Sequence, residues 1–126
     1  MKSPQQLTSL PNLLYHMVPE KLYSSFLTKD GSYDCRNKKE WDKNSPSIHT
    51  SPSMKIMIKN VANKNWTDYP IEEKFVALII DLKFIQSKIT TTEYNDVVYH
   101  HICGALPKAS FKVIKVNRDN KGKFKL

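Results

Sequence analysis

Apolar residues fall in short runs along the chain, and the spacing inside each run separates strand from helix. Residues 13–18 (LLYHMV) are apolar with one interruption, His16, and predict a buried strand. Pro19 then suits the first position of a helix, and Glu20 its first turn. Leu22, Tyr23, Phe26 and Leu27 share one face at helical spacing, and Asp30-Gly31 ends that helix. Residues 32–35 (SYDC) are weakly strand-like, and 37–47 are polar around Trp41, a loop or short helix. Residues 47–51 (SIHTS) predict a second short strand. A helix follows to about Asn65, with Ser51 as N-cap, Pro52 at its first position, and Met54, Ile58, Val61 and Ala62 facing inward. After a turn at 67–70, residues 74–81 form the strongest strand, apolar on both faces and therefore central in its sheet. Residues 87–92 and 97–103 are β-rich and suited to pair; Gly104 and Pro107 break the chain; 111–116 (FKVIKV) form a last strand before a turn at 120–122. Strands dominate, with two helices between the early ones, which predicts an α+β fold.

The length, 126 residues, suffices for one core. Residues 1–12 read as an N-terminal extension, 13–124 as a single domain and 125–126 as a basic tail end. Five Phe, six Tyr and two Trp argue against disorder. The longest apolar run, 75–80, is far short of the roughly 20 residues of a membrane helix. The N-terminus shows no apolar core of a secretory signal, and Cys35 and Cys103 lie far apart, so the expectation is a cytoplasmic protein with reduced thiols and no membrane partner. Net charge is +8, and seven basic residues between Lys108 and Lys125 face Asp119 alone. Such a stretch can attract phosphate, but lysines on an edge strand also serve to block edge-to-edge pairing, and that plainer role is the first expectation. Its apolar residues, Phe111, Val113, Ile114 and Val116, are expected to pack inward while the lysines stay solvated and peripheral to any site.

No glycine-rich phosphate loop, GxSxG, HExxH or CxxC occurs. The chemistry must therefore come from the histidines. His16 interrupts the first strand, His49 ends the second, and His100 and His101 are adjacent in the strand 97–103. Neighbours on a strand face opposite ways, so His101 shares a face with Cys103 and His100 faces away. Imidazole donates and accepts hydrogen bonds and moves protons near neutral pH. The plainer role for each is a hydrogen-bonded structural histidine. A zinc site of His16, His49, His101 and Cys103 lacks the spacing of familiar zinc motifs, so no metal is expected. Glu72, Glu73, Glu93 and Asp96 read first as solvated turn or hairpin charges.

Six segments taken together carry a resemblance: 15–19 (YHMVP), 30–33 (DGSY), 48–51 (IHTS), 76–81 (VALIID), 101–107 (HICGALP) and 116–124 (VNRDNKGKF), with a helix after the third. In order and approximate spacing they resemble the small bacterial and plant family called domain of unknown function 952, over nearly the whole chain. The resemblance implies an ADP-ribosyltransferase-like fold, two small antiparallel sheets packed around a cleft with flanking helices. It implies that His16 orients a ribose or amide of NAD, that His49 and Ser51 shape the ligand pocket, and that His101 stands where such transferases commonly carry a glutamate. His16 and His101 are thus the candidate catalytic residues, and His16, His49, Ser51 and His101 the candidate ligand-binding set. NAD or a related nucleotide or ADP-ribose-like group is the candidate ligand, with transferase-type chemistry if the protein is an enzyme. Because a histidine replaces the carboxylate, binding or proton transfer is expected ahead of ADP-ribosyl transfer. The alternative is a non-catalytic interaction module that contacts RNA or another anionic partner through the lysine-rich C-terminal side.

Overall fold

A computed structural model describes residues 11–34, 47–62, 73–118 and 124–125. The expectations placed on 1–10, Cys35, the Trp41 segment, 63–65, Glu72 and the turns at 67–70 and 120–122 lie outside these residues. The architecture is α+β with two small antiparallel sheets. In chain order the elements are β1 (Leu13–Pro19), α1 (Glu20–Phe26), β2 (Ser47–His49), α2 (Met54–Ala62), β3 (Phe75–Asp81), β4 (Lys88–Tyr94), β5 (Val97–Cys103), β6 (Phe111–Arg118) and β7 (Phe124–Lys125). One sheet has four strands in the order β1-β3-β6-β7, the other three in the order β2-β5-β4.

β3 is central because both its faces are apolar, and five of its seven residues are buried. Its register aligns Leu14, Ile80 and Phe111 across one face of the sheet, and Met17, Ala77 and Ile114 across the other. The first face meets the second sheet. Leu14, Val18, Val76, Leu78 and Ile80 pack there with Ile48 and Ile102, under Phe26 of α1. The opposite face is covered by α2, whose Met57 packs with Met17, Phe75, Ala77 and Val116. Among the described residues no helix is long and apolar enough to cross a membrane.

Several local expectations are corrected. Pro19 ends β1 and precedes the helix rather than opening it, and α1 stops at Phe26, before Asp30-Gly31. The segment after it is a tight turn in which the Asp30 carboxylate accepts from the Thr28 hydroxyl and from the Ser32 amide, while Gly31 takes φ +87°. The N-terminus of α2 is capped by Ser53, whose Oγ accepts from the Ile56 amide at 3.1 Å, and not by Ser51. Ser51 is unavailable because its backbone is committed to β1. On α2, Met54 and Ile58 face the core as expected and are joined there by the fully buried Met57; the side chains of Val61 and Ala62 lie outside the described residues. Glu73 is not solvated but pairs with Lys21 at 3.4 Å. Val113 and Ile114 do not pack inward: both are more than one-third exposed. β6 also runs two residues further than its apolar pattern, to Arg118, where the short β7 pairs with it.

Candidate functional site

The two sheets are tied together where the chain leaves β2. The Ser51 amide donates to the Tyr15 carbonyl at 2.7 Å, and the Tyr15 amide donates to the Ser51 carbonyl at 3.0 Å. One residue earlier, the Thr50 amide and hydroxyl both donate to the His100 carbonyl, at 3.2 and 2.6 Å. Thr50 therefore holds β5 while Ser51 reaches β1, and the polypeptide passes from one sheet to the other within two residues.

His16 sits beneath this crossing, on the face of β1 that carries Leu14 and Val18. Its Nδ1 lies 2.8 Å from the His49 carbonyl oxygen. A carbonyl only accepts, so Nδ1 carries the proton and Nε2 is left as an acceptor. The Tyr33 hydroxyl, 3.2 Å away, donates to it. Tyr33 is buried at the centre of an aromatic cluster: Tyr23 stacks on it at 5.9 Å, while His16, Phe26 and Phe111 meet it edge-on at 5.7 to 6.3 Å. Withdrawal from water pushes the His16 pKa down to about 4; the bond to the His49 carbonyl works against this, and the nearby His49 ring adds to it. At neutral pH His16 is uncharged, with both nitrogens engaged by protein.

His49 and His101 are directly opposed in the register of β2 and β5, and their rings meet edge-to-face with centroids 4.5 Å apart. They stand on the face opposite Ile48 and Ile102, which are core residues. The same outer face carries Thr90 opposite His101, Tyr99 and Thr92 in the next row, and Cys103 opposite Lys88. Cys103 is a free thiol. His49 is exposed and His101 half-buried. His100 points inward, as strand alternation requires; it is buried, and its Nδ1 lies 3.0 Å from the Thr91 hydroxyl. Burial holds its pKa below the ordinary value, and the neighbouring His101 lowers it further.

His16, His49 and His101, from three separate segments, thus meet at one crossing, joined by one hydrogen bond and one ring contact. They do so on two levels: His16 lies under the β2 backbone, the other two rings on its outer face. Ser51 contributes its main chain and is buried. Glu93 pairs with Val98, three residues along β4 from Thr90, and alternation puts it on the face away from His101. Asp96 sits in the exposed turn at the far end of the hairpin. Lys112 and Lys115 are exposed and separated from β1 by β3. Among the described residues no three His, Cys, Asp or Glu side chains are grouped as a metal site.

Two residues of this arrangement escaped the pattern along the chain. Thr50 is one, buried beside Ile48; its alternation with His49 in the short strand is the signal that could have found it. Tyr33 carried no periodic signal, since it forms only single bridge pairs, with Leu27 and Leu106. No family model, curated protein or solved structure matches the chain.

Proposed function

We propose that the protein binds a nucleotide-type ligand, NAD or a related nucleotide or ADP-ribose-like group, at the imidazole pair of His49 and His101, on an ADP-ribosyltransferase-like scaffold. The observation that carries this reading is the convergence of His16, His49 and His101 from three strands onto one crossing. Two antiparallel sheets with helices beside them are in keeping with the scaffold. The outer pair has the chemistry the ligand asks for. Neutral imidazole donates and accepts, which suits ribose hydroxyls and amides, and protonated imidazole attracts phosphate. The Thr90 hydroxyl opposite His101 and the Lys88 ammonium in the adjacent row extend that set. His101 is the group for proton transfer. His16 is a positioning residue: its bond to the His49 carbonyl fixes the backbone from which the His49 ring projects.

The test is thermal melting of the full chain with NAD, ADP-ribose and ADP in turn. A ligand at about 100 times its Kd stabilises by roughly 2.7 kcal/mol, a shift of several degrees. At least one of the three should stabilise the wild type. The His49→Ala/His101→Ala double variant should lose that shift while its unliganded melting temperature changes little, because both rings stand on the outer face. Equal stabilisation of the variant, or none of the wild type by any of the three, overturns the reading.

A further inference from the structure

We propose that the outer edge of β6 is a docking site for an extended acidic segment of a partner protein, which adds to the four-stranded sheet as a further strand. Among the described residues, β6 pairs along its inner side with β3 from Phe111 to Val116, but on its outer side β7 pairs only at Asn117 and Arg118. Residues 111–116 thus present an edge whose outward N–H and C=O groups have no strand partner among the described residues. Such an edge is a template for strand addition, with the main chain giving affinity and alternate side chains giving selectivity.

The side chains of this edge select the occupant. Lys112, Val113, Ile114 and Lys115 are all exposed, so both faces of the strand stand clear of the core here. Val113 is 38% and Ile114 36% exposed, two β-branched residues that favour a paired strand beside them. A lysine flanks them on each side, and Lys108 lies just before the strand. Opposite charges directly across a strand pair stabilise it and like charges destabilise it. A second copy of this chain is disfavoured in the register that best matches the apolar pair. In the antiparallel pairing that sets Val113 against Ile114, each Lys112 would face a Lys115. A strand with Glu or Asp at those two positions and apolar residues between them satisfies every group on the edge. The seven basic residues between Lys108 and Lys125 would also raise its rate of encounter. This surface lies two strands away from His16 and is separate from the imidazole pair.

The experiment is a fluorescence-anisotropy titration of the full chain with a labelled peptide as long as β6, eight residues, of sequence Thr-Thr-Glu-Val-Val-Glu-Thr-Thr, which sets its two Glu opposite Lys112 and Lys115 and its Val pair opposite Val113 and Ile114. Saturable binding is expected, weaker at higher salt. Replacing the two central valines of the peptide by proline, which removes N–H groups without altering charge, should abolish it. The Lys112→Glu/Lys115→Glu double variant should bind about tenfold more weakly, and Lys112→Gln/Lys115→Gln should fall between it and wild type. Both pairs of substitutions are at exposed positions, and circular dichroism checks that each variant is folded. Equal binding of the proline peptide would mean charge attraction without strand addition, and would overturn the proposal. So would tighter binding of an oligouridylate of equal charge, which would make the surface an RNA contact, or self-association of the chain that displaces the peptide.

Discussion

A histidine whose two nitrogens are both held by protein can take a second proton only by turning one partner away. For His16 the partner is the Tyr33 hydroxyl, which donates to Nε2 and would have to rotate to accept. The unfolded chain has no such restriction, and its imidazole titrates near the ordinary 6.5, against about 4 in the fold. Between these values the unfolded state binds more protons, so stability falls as pH drops from about 6.5 through 4. At about 1.4 kcal/mol per pH unit of that gap, the loss is about 3 kcal/mol. His100, also lowered by burial, acts in the same direction. Urea midpoints at pH 7.5 and 4.5 should fall further for wild type than for His16→Gln; equal falls would assign the acid sensitivity elsewhere. Tyr33 separates the hydroxyl from the ring. Tyr33→Phe should cost about 1 kcal/mol by leaving Nε2 without its donor, whereas Tyr33→Ala should cost 3–5 kcal/mol, since four rings pack against the one removed.

At the scale of elements, the hairpin β4–β5 shows how a turn fixes which side chains stand opposite one another. Asn95 and Asp96 both have positive φ, 51° and 64°, the conformation of a two-residue turn whose twist matches the strands. That turn sets Thr90 opposite His101 and Thr91 opposite His100. Glycine adopts such a backbone without penalty and a β-branched residue does not. Asp96→Val should therefore cost about 1 kcal/mol in chemical denaturation, while Asp96→Gly should be neutral or slightly stabilising. A large loss in the glycine variant would show that the Asp96 side chain matters beyond its backbone. The strands themselves were legible in the sequence, because burial on one face or two writes a period directly into residues such as 75–80 and 97–103. The opposite facings of His100 and His101 followed from the same period. What was illegible depended on distant partners. Ser51 looks like a helix cap until Tyr15 claims its backbone, and the cap falls to Ser53. Val113 and Ile114 look like core residues because nothing local says that their strand lies beyond the cover of the helices.

On the scale of the whole molecule, the arrangement of the sheets decides what the imidazole pair has for neighbours. Cleaving the bond between nicotinamide and ribose builds positive charge on the sugar, and a carboxylate beside it stabilises that charge. The described acidic residues of the second sheet and its hairpin are Glu93 and Asp96, and β4 carries both away from His101. Glu93 is three residues beyond the one opposite His101, about 10 Å along the strand, and on the other face. Asp96 is about 17 Å along, in the turn. The hairpin is continuously paired from Lys88–Cys103 to Tyr94–Val97, so neither folds back over the pair. A neutral histidine stabilises the developing cation less than a carboxylate, and a protonated one opposes it. Purified protein incubated with NAD and a candidate acceptor should therefore release nicotinamide little faster than buffer, and Glu93→Gln should not alter the rate. Ligand binding and nicotinamide release would then separate cleanly: His49→Ala/His101→Ala should remove the thermal shift given by a nucleotide, with no nicotinamide release to lose. Rapid release that disappears in Glu93→Gln, with the fold intact, would mean that this carboxylate reaches the sugar from the opposite face, and the assignment of the outer face as the ligand side would fall with it.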